Sequence, residues 1–440
     1  MSEIGERVMR AKMASVELAD RPTEVKNRAL RAMADALDRE RESILETNAE
    51  DVRRGEKMVE RGELSRSLLQ RLRISDGKID TMIDGIQDVI ALEDPVGRTL
   101  STVELDHGLI LYQVSAPIGL IGVIFESRPD VIPQIMSLCL KSGNATVFKG
   151  GSEAGGSNRL LFDILSGAAS SVEDMPREAF QLMETREEVD SILDLDQHID
   201  LLIPRGSNRF VRQIQERTRI PVLGHTSGIC HAYLDETADR ERALRVCVDS
   251  KVQYPAACNS IETLLVHQGA LEILDELART YLGEGVELRC DPRSLEYLSS
   301  LDLEAGAMEE DWSTEYSDLV LSVKVVDSME EAIDHINHYG SHHTDVVVAE
   351  DQRRARRFTS LVDSASVMVN ASTRFADGYR YGMGAEVGIS TNKVHARGPV
   401  GMDGLMIYKY ILQGEGQTVA EYSGKEGRSF THRRLDLEFR

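Results

Sequence analysis

The sequence predicts an α/β protein of two Rossmann-like lobes, each a parallel sheet covered by helices, with a small β element beside them. Three observations predict this. From Pro117, short apolar runs alternate with amphipathic stretches of helical period. A second series of the same alternation starts near Cys258, so two lobes join near residues 225 to 255. Two β-rich runs flank Asp106-His107-Gly108, where glycine supplies the positive φ of a hairpin turn. At 440 residues there is length for two or three domains with full cores.

The elements follow in order. The first hundred residues read as helix after helix; Val25, Ala29, Leu30, Met33, Leu37 and Ile44 share one face at helical spacing. "STVELDHGLILYQVSAP" is the hairpin. The first α/β series then runs through the strand "IGLIGVIFE" and the helix "RPDVIPQIMSLCLKSG", closed by Gly143. It continues through the strand "NATVFKG", the helix "SEAGGSNRLLFDILSGAAS", and the runs "DLLIPRG", "NRFVRQIQER", "IPVLG" and "CHAYLD". The second series is "SIETLLVH", "ALEILDELARTYLG", "VELRC", "LVLSVKVVD", "MEEAIDHINHYG" and "TDVVVAE". The tail after Leu412 is polar and is expected to be irregular.

Composition narrows the function. The formal net charge of -23 argues against a nucleic-acid or anionic-membrane partner. Eleven lysines against forty arginines, on an acid-rich surface, would suit a salty cytoplasm in which salt screens self-repulsion. No apolar run approaches the roughly 18 residues that span a bilayer, and the N-terminus lacks a signal-peptide core. Five cysteines with no C-x-x-C pair form no disulfide framework, so a reduced, cytoplasmic protein is expected.

Cys258 stands apart from the other four thiols. Cys139 and Cys247 fall at apolar helical spacing, and Cys230 and Cys290 sit at or beside strands; core packing is the default for all four. In "QYPAACNSIETLL" the small residues before Cys258 leave the thiol unshielded and admit a substrate to the backbone. Pro255 can start a helical turn, placing Cys258 among N–H groups that lower a thiol pKa and receive an oxyanion. The bland alternative is another packed cysteine.

Three further segments could carry chemistry. "GNATVFKGGSEAGG" ends a strand at Lys149 and begins a helix at Ser152-Glu153, where a dinucleotide could lie; such a turn is also a common plain connection. "FESRPD" puts Ser127 and Arg128 just after a strand. The loop "VNASTRFADGYRYGMGAEVGISTNKVHARGPVG" carries Arg374, Arg380, Lys393 and Arg397, cations suited to an anionic substrate. His338, His342, His343 and Asp345 have spacings a metal could use, but no accompanying pattern supports one, and no metal is expected. "RRARR" at 353–357 reads as a charged helix face.

Taken together, "PIGLIGVIFESRPDV", "KGGSEA", "IPRG", "YPAACNSIETLLVH", "YGSHHTD" and "NASTRFADGYRYGMGAEVGISTNKVHARGPVGMDGL" resemble the gamma-glutamyl phosphate reductase (glutamate-5-semialdehyde dehydrogenase) family of the aldehyde dehydrogenase superfamily. The resemblance covers most of the chain. It implies an aldehyde-dehydrogenase-like fold with an NADPH-binding domain at 1–97 and 115–227. A catalytic domain at 228–400 would carry the nucleophile, and an oligomerisation hairpin and strand would occupy 98–114 and 401–440. It implies NADPH-dependent reduction of L-glutamyl 5-phosphate to L-glutamate 5-semialdehyde, with phosphate released, in proline biosynthesis. The nucleophile falls on Cys258, with Asn259 beside it. The cofactor would fall to Lys149, Gly151, Ser152, Glu153, Gly224 and Glu386, and the substrate to Ser127, Arg128, Arg374 and Arg380. Thiol and cofactor would have to face one another across a cleft.

Hydrolytic relatives carry a carboxylate base before the crossover; here "PVLGHTSGICH" has Gly224 and His225 and no carboxylate, which fits a reductase whose thioester must survive. That stretch also departs from the "ETGxGNCH" of many members. The resemblance further implies a homo-oligomer and an acyl phosphate supplied by a separate glutamate 5-kinase. The competing reading is an NAD(P)-dependent aldehyde dehydrogenase acting on another aldehyde. A non-redox thiol acyltransferase and a non-catalytic binding protein are further alternatives.

Overall fold

The computed structural model describes residues 3–184, 191–301, 303 and 305–439. The chain forms two compact units: one of residues 1–223, 383–387 and 400–440, the other of 224–382 and 388–399.

The first unit opens with five helices, α1 (Glu3–Ala19), α2 (Thr23–Arg39), α3 (Arg41–Glu60), α4 (Arg66–Leu72) and α5 (Asp76–Ala91). The single apolar face read from Val25 to Ile44 is split between α2 and α3 at Glu40, and its members are all buried. A hairpin follows, β1 (Thr99–Asp106) and β2 (Leu109–Pro117), with Gly108 at φ +70° in its turn. Next come β3 (Leu120–Phe125), α6 (Val131–Lys141), β4 (Ala145–Gly150), α7 (Gly155–Ser170), β5 (Phe180–Met183), β6 (Leu201–Arg205) and α8 (Asn208–Arg217). The four strands form a parallel sheet in the order β5-β4-β3-β6. β3, an apolar run, and β4, which carries Thr146 and Lys149, are both buried along their whole length, as strands covered on both faces require. The expected strand at 220–224 is reduced to one bridge, Leu202 to Val222; Pro221 has no N–H for a ladder.

The second unit is one parallel seven-stranded sheet with its helices. In chain order it contains β7 (Cys230–Leu234), α9 (Arg240–Val252), β8 (Ile261–His267), α10 (Leu271–Gly283), β9 (Glu287–Cys290), α11 (Pro292–Tyr297), β10 (Ala305–Gly306), β11 (Val320–Val326), α12 (Met329–Tyr339), β12 (Thr344–Val348), α13 (Gln352–Leu361) and β13 (Ser366–Val369). The strand order is β10-β9-β11-β8-β7-β12-β13. Two apolar clusters cover its faces, one around Leu264, Leu277 and Leu321, the other around Tyr233, Ile336 and Phe358. Short strands β14 (Gly388–Ser390) and β15 (Gly398–Val400) lie in the segment that returns to the first unit.

The strand expected within 401–440 is present, whereas the tail after Leu412 is not irregular throughout. β16 (Met406–Gln413) pairs with β2, and β17 (Arg433–Leu435) pairs with β1, giving an antiparallel sheet ordered β16-β2-β1-β17. Ion pairs from Arg428 to Asp106 and Arg433 to Glu104, with the Phe439 ring edge-on to Tyr112 at 5.3 Å, hold the tail on the hairpin. These partners lie more than three hundred residues away in sequence, so a local reading sees only a polar run.

Candidate active site

In the first unit the ends of two neighbouring strands build a cradle. Glu126 and Ser127 follow β3, and Lys149 is the next-to-last residue of β4, ahead of Gly151, Ser152 and Glu153. The Glu153 carboxylate accepts from the backbone N–H and the hydroxyl of Ser127, each at 2.7 Å. Ser127, expected on the substrate, thus spends both donors on Glu153, expected on the cofactor. Ser127 holds φ at +45°, a strained value for a residue with a side chain. Lys149 is buried and its ammonium donates to the Gly150 carbonyl. A Cβ on Gly151 would overlap the Glu153 carboxylate, so a side chain there would have to displace Glu153 from Ser127. This cradle at the carboxyl ends of parallel strands, with a helix beginning beyond it, is a place a dinucleotide fits. Arg128 is half-buried in the turn after Ser127. Glu386 holds Gln134 through its backbone carbonyl at 2.9 Å.

In the second unit the thiol sits at the opposite kind of edge. β8, β7 and β12 lie side by side and run parallel. Cys258 precedes β8, Gly228 precedes β7 and His343 directly precedes β12, so all three gather at the amino-terminal edge of the sheet. Gly228 is obligatory: a Cβ there would collide with the backbone of Cys258. The expected helical start at Pro255 is instead a pair of tight turns, Ala257 N–H to Tyr254 O at 3.2 Å and Ser260 N–H to Ala257 O at 2.9 Å. The chain enters β8 at Ile261 and leaves no room for a helix. The low thiol pKa argued from a helix N-terminus therefore has no helix behind it.

Cys258 is half-buried, while Cys139, Cys230, Cys247 and Cys290 are buried. Burial pushes the Cys139, Cys247 and Cys290 thiols up to about 12 and Cys230 well above its usual range. The reading of those four as core residues holds. Asn259 is buried and donates its amide to the Ala376 carbonyl at 2.9 Å, pinning the thiol turn to the loop that carries the arginines.

That loop brings both expected arginines together. Arg374 and Arg380 line a cavity of about 210 Å³ with Asp249, Gln253 and Phe375. The Arg374 guanidinium donates to Gln253 at 2.9 Å and lies 5.8 Å from the Tyr254 ring centroid, while Arg380 donates to the Arg374 carbonyl at 2.6 Å. Burial pushes Arg374 below its ordinary range; Arg380 adds to the push, and the charge of Cys258 opposes it. Lys393 and Arg397 instead pair with Asp363.

The Gly224 carbonyl accepts from Thr391 N–H at 3.3 Å, and His225 Nδ1 lies 2.9 Å from the Ile389 carbonyl. His338 is exposed, His342 turns to the Asp363 carbonyl, and Asp345 holds His231, so the four residues once weighed as a metal set are not gathered. His343 joins a different group, with His225 and Cys258. No local signal marks its grouping with His225, which forms only when the strands that follow them, β7 and β12, pair.

The sequence profile described as the aldehyde dehydrogenase family matches residues 2–287. A gamma-glutamyl phosphate reductase of Methanosarcina mazei is 63% identical over 441 residues, covering 100% of this chain and 99% of its own. One from Methanosarcina barkeri is 63% identical over 440 residues, covering 99% and 98%. The crystal structure of the Thermotoga maritima gamma-glutamyl phosphate reductase superposes with a TM-score of 0.90 at 38% identity, over 95% of this chain and 100% of that one. By these likenesses the chain belongs to the aldehyde dehydrogenase family and, within it, to the gamma-glutamyl phosphate reductases.

Proposed function

We propose that this protein reduces L-glutamyl 5-phosphate to L-glutamate 5-semialdehyde with NADPH, releasing phosphate, in proline biosynthesis. The observation that carries the reading is the half-buried Cys258, on turns of small residues, with Arg374 felt electrostatically by its sulfur. The Cys258 thiolate attacks the acyl carbon; the carbon–oxygen bond to phosphate breaks, phosphate leaves with the electron pair, and a thioester remains on Cys258. Arg374 and Arg380 hold the anionic groups of the substrate by charge-assisted hydrogen bonds. Asn259 fixes the turn. NADPH, when bound, supplies the hydride that converts the thioester to the aldehyde and frees the thiolate. Lys149, Gly151, Ser152 and Glu153 of the first unit would hold the cofactor, with Ser127 setting Glu153, and Gly224 and Glu386 as further contacts. No carboxylate stands in "PVLGHTSGICH" to activate water, so the thioester persists for reduction.

The 1–97 and 115–227 segments then act as the NADPH-binding domain and 228–400 as the catalytic domain. β16 is an edge strand carrying exposed Ile407, Tyr408, Tyr410 and Leu412, and a second copy of this chain would cover it. Among the described residues no helix is long and apolar enough to cross a membrane; five cysteines that form no disulfide suit a reducing cytoplasm. The acyl phosphate would come from a separate glutamate 5-kinase. The deciding assay runs backwards, from the semialdehyde with NADP. Reduction of NADP only when phosphate is added is the expected result. Equal activity without phosphate would replace this reading with oxidation of an aldehyde to its acid.

A further inference from the structure

We propose that His225, Cys258 and His343 form a site for a soft divalent cation, zinc above all, which caps the thiol reversibly. One sulfur and two imidazole nitrogens lie within 4.8 Å of one another. Two histidines and a cysteine are a zinc donor set, with a fourth position left to water. Zinc bonds of about 2.3 Å to sulfur and 2.0–2.1 Å to nitrogen put the donor atoms roughly 3.5 Å apart. The three must therefore close by about 1 Å. Cys258 is placed to make that move, being half-buried on two successive turns beside Ala256 and Ala257.

The rings are already arranged as ligands. His225 Nδ1 faces the Ile389 carbonyl at 2.9 Å. A carbonyl only accepts, so Nδ1 carries the proton and Nε2 holds the lone pair; a carbonyl behind the ring is the usual outer partner of a zinc-bound histidine. His343 is fully buried, its Nδ1 lies 2.9 Å from Thr344 Oγ1, and its Nε2 has no hydrogen-bond partner. A buried polar atom left without a partner asks for an explanation, and a cation bound by Nε2 supplies one. The two rings stand edge to face at 5.0 Å between centroids. On binding, the Cys258 S–H bond breaks, the sulfur takes the metal and the proton goes to solvent. No electrons move.

The cap depends on where Cys258 lies and not on which acyl phosphate it attacks, so it can be tested without turnover. The full chain, stripped of metal, is titrated with Co²⁺ and then Zn²⁺ under reducing conditions. One equivalent of Co²⁺ should give a thiolate-to-metal charge-transfer absorption, which Zn²⁺ then bleaches. Cys258→Ser should remove that absorption. His225→Ala should weaken Zn²⁺ by at least tenfold, the lower end of the roughly 10–100-fold that loss of a mere outer-shell partner costs. His343→Gln should do the same; because a buried replacement can disturb folding, His225→Ala decides. A charge-transfer band that survives in Cys258→Ser, or unchanged Zn²⁺ affinity in His225→Ala, overturns the site. Failure to reduce glutamyl phosphate would overturn the proposed reaction and leave these spectra as they are.

Discussion

Ser127 and Glu153 are joined by two hydrogen bonds of 2.7 Å, both ending on the same carboxylate oxygen. They tie the turn after β3 to the helical start after β4. Glu153→Gln keeps the shape and removes the charge, so bonds worth about 1.5–3 kcal/mol to a charged group become ordinary ones. The cradle loosens. NADPH, followed by its fluorescence, should bind about tenfold more weakly, while iodoacetamide labels Cys258 at the wild-type rate. Unaltered NADPH affinity would move the dinucleotide away from this segment.

Cys258→Ala should lower turnover by about 10⁴-fold or more, the scale of losing a nucleophile, while NADPH binds within about threefold of wild type. The same reasoning bears on labelling. Four thiols are buried and, by burial, protonated at neutral pH. Native protein should therefore take up one equivalent of iodoacetamide, at Cys258, and lose activity in proportion. Labelling at another cysteine with full loss of activity would reassign the nucleophile.

The elements were legible where burial is two-sided. β3, β4, β8 and β12 are buried along their whole length, and each lies within a residue or two of its expected bounds. β13 escaped because its burial is only partial, and β17 because its partner lies in β1. The partial exposure of Cys258 was legible from its small neighbours. The two histidines beside it were not, because they come together only when β7 and β12 pair; nothing in the spacing of His225 and His343 announces that pairing. The turn at Pro255 shows the limit of local reading. Proline opens a turn or a helix equally well, and the nearness of β8 chose the turn.

Arg374 and Arg380 share one small cavity, yet they differ in what holds them. Arg374 is braced by Gln253, whereas Arg380 leans on the Arg374 carbonyl. Either arginine changed to Ala should raise the KM for substrate by roughly 10–100-fold, the equivalent of one charge-assisted hydrogen bond. Arg374→Ala should also lower kcat, since its charge interacts with that of Cys258. Steady-state rates over a range of semialdehyde and phosphate concentrations give both constants. Unchanged KM in both variants would remove the arginines from the site.

His335 should set how the second unit responds to acid. It is buried on α12 between Trp312 and Tyr339, with His231 beyond, and its Nε2 has no hydrogen-bond partner. Burial, then the nearby His231 and Lys324, hold its pKa down to about 2. The unfolded chain takes up this proton near pH 6.5, and the folded chain does not. The stability is therefore whole above pH 6.5 and is lost as pH falls, by about 1.4 kcal/mol per unit once the unfolded ring is charged. Glu262, pushed up to about 7 by burial, acts in the other sense, losing stability as pH rises from 4.5. It is common to wild type and variant and largely cancels in a comparison. His335→Phe keeps a ring in place and cannot take a proton. Measured by thermal unfolding, wild type should lose ground to His335→Phe with each step from pH 6.5 to 5. A constant difference across that range would mean that the ring is protonated in the folded protein.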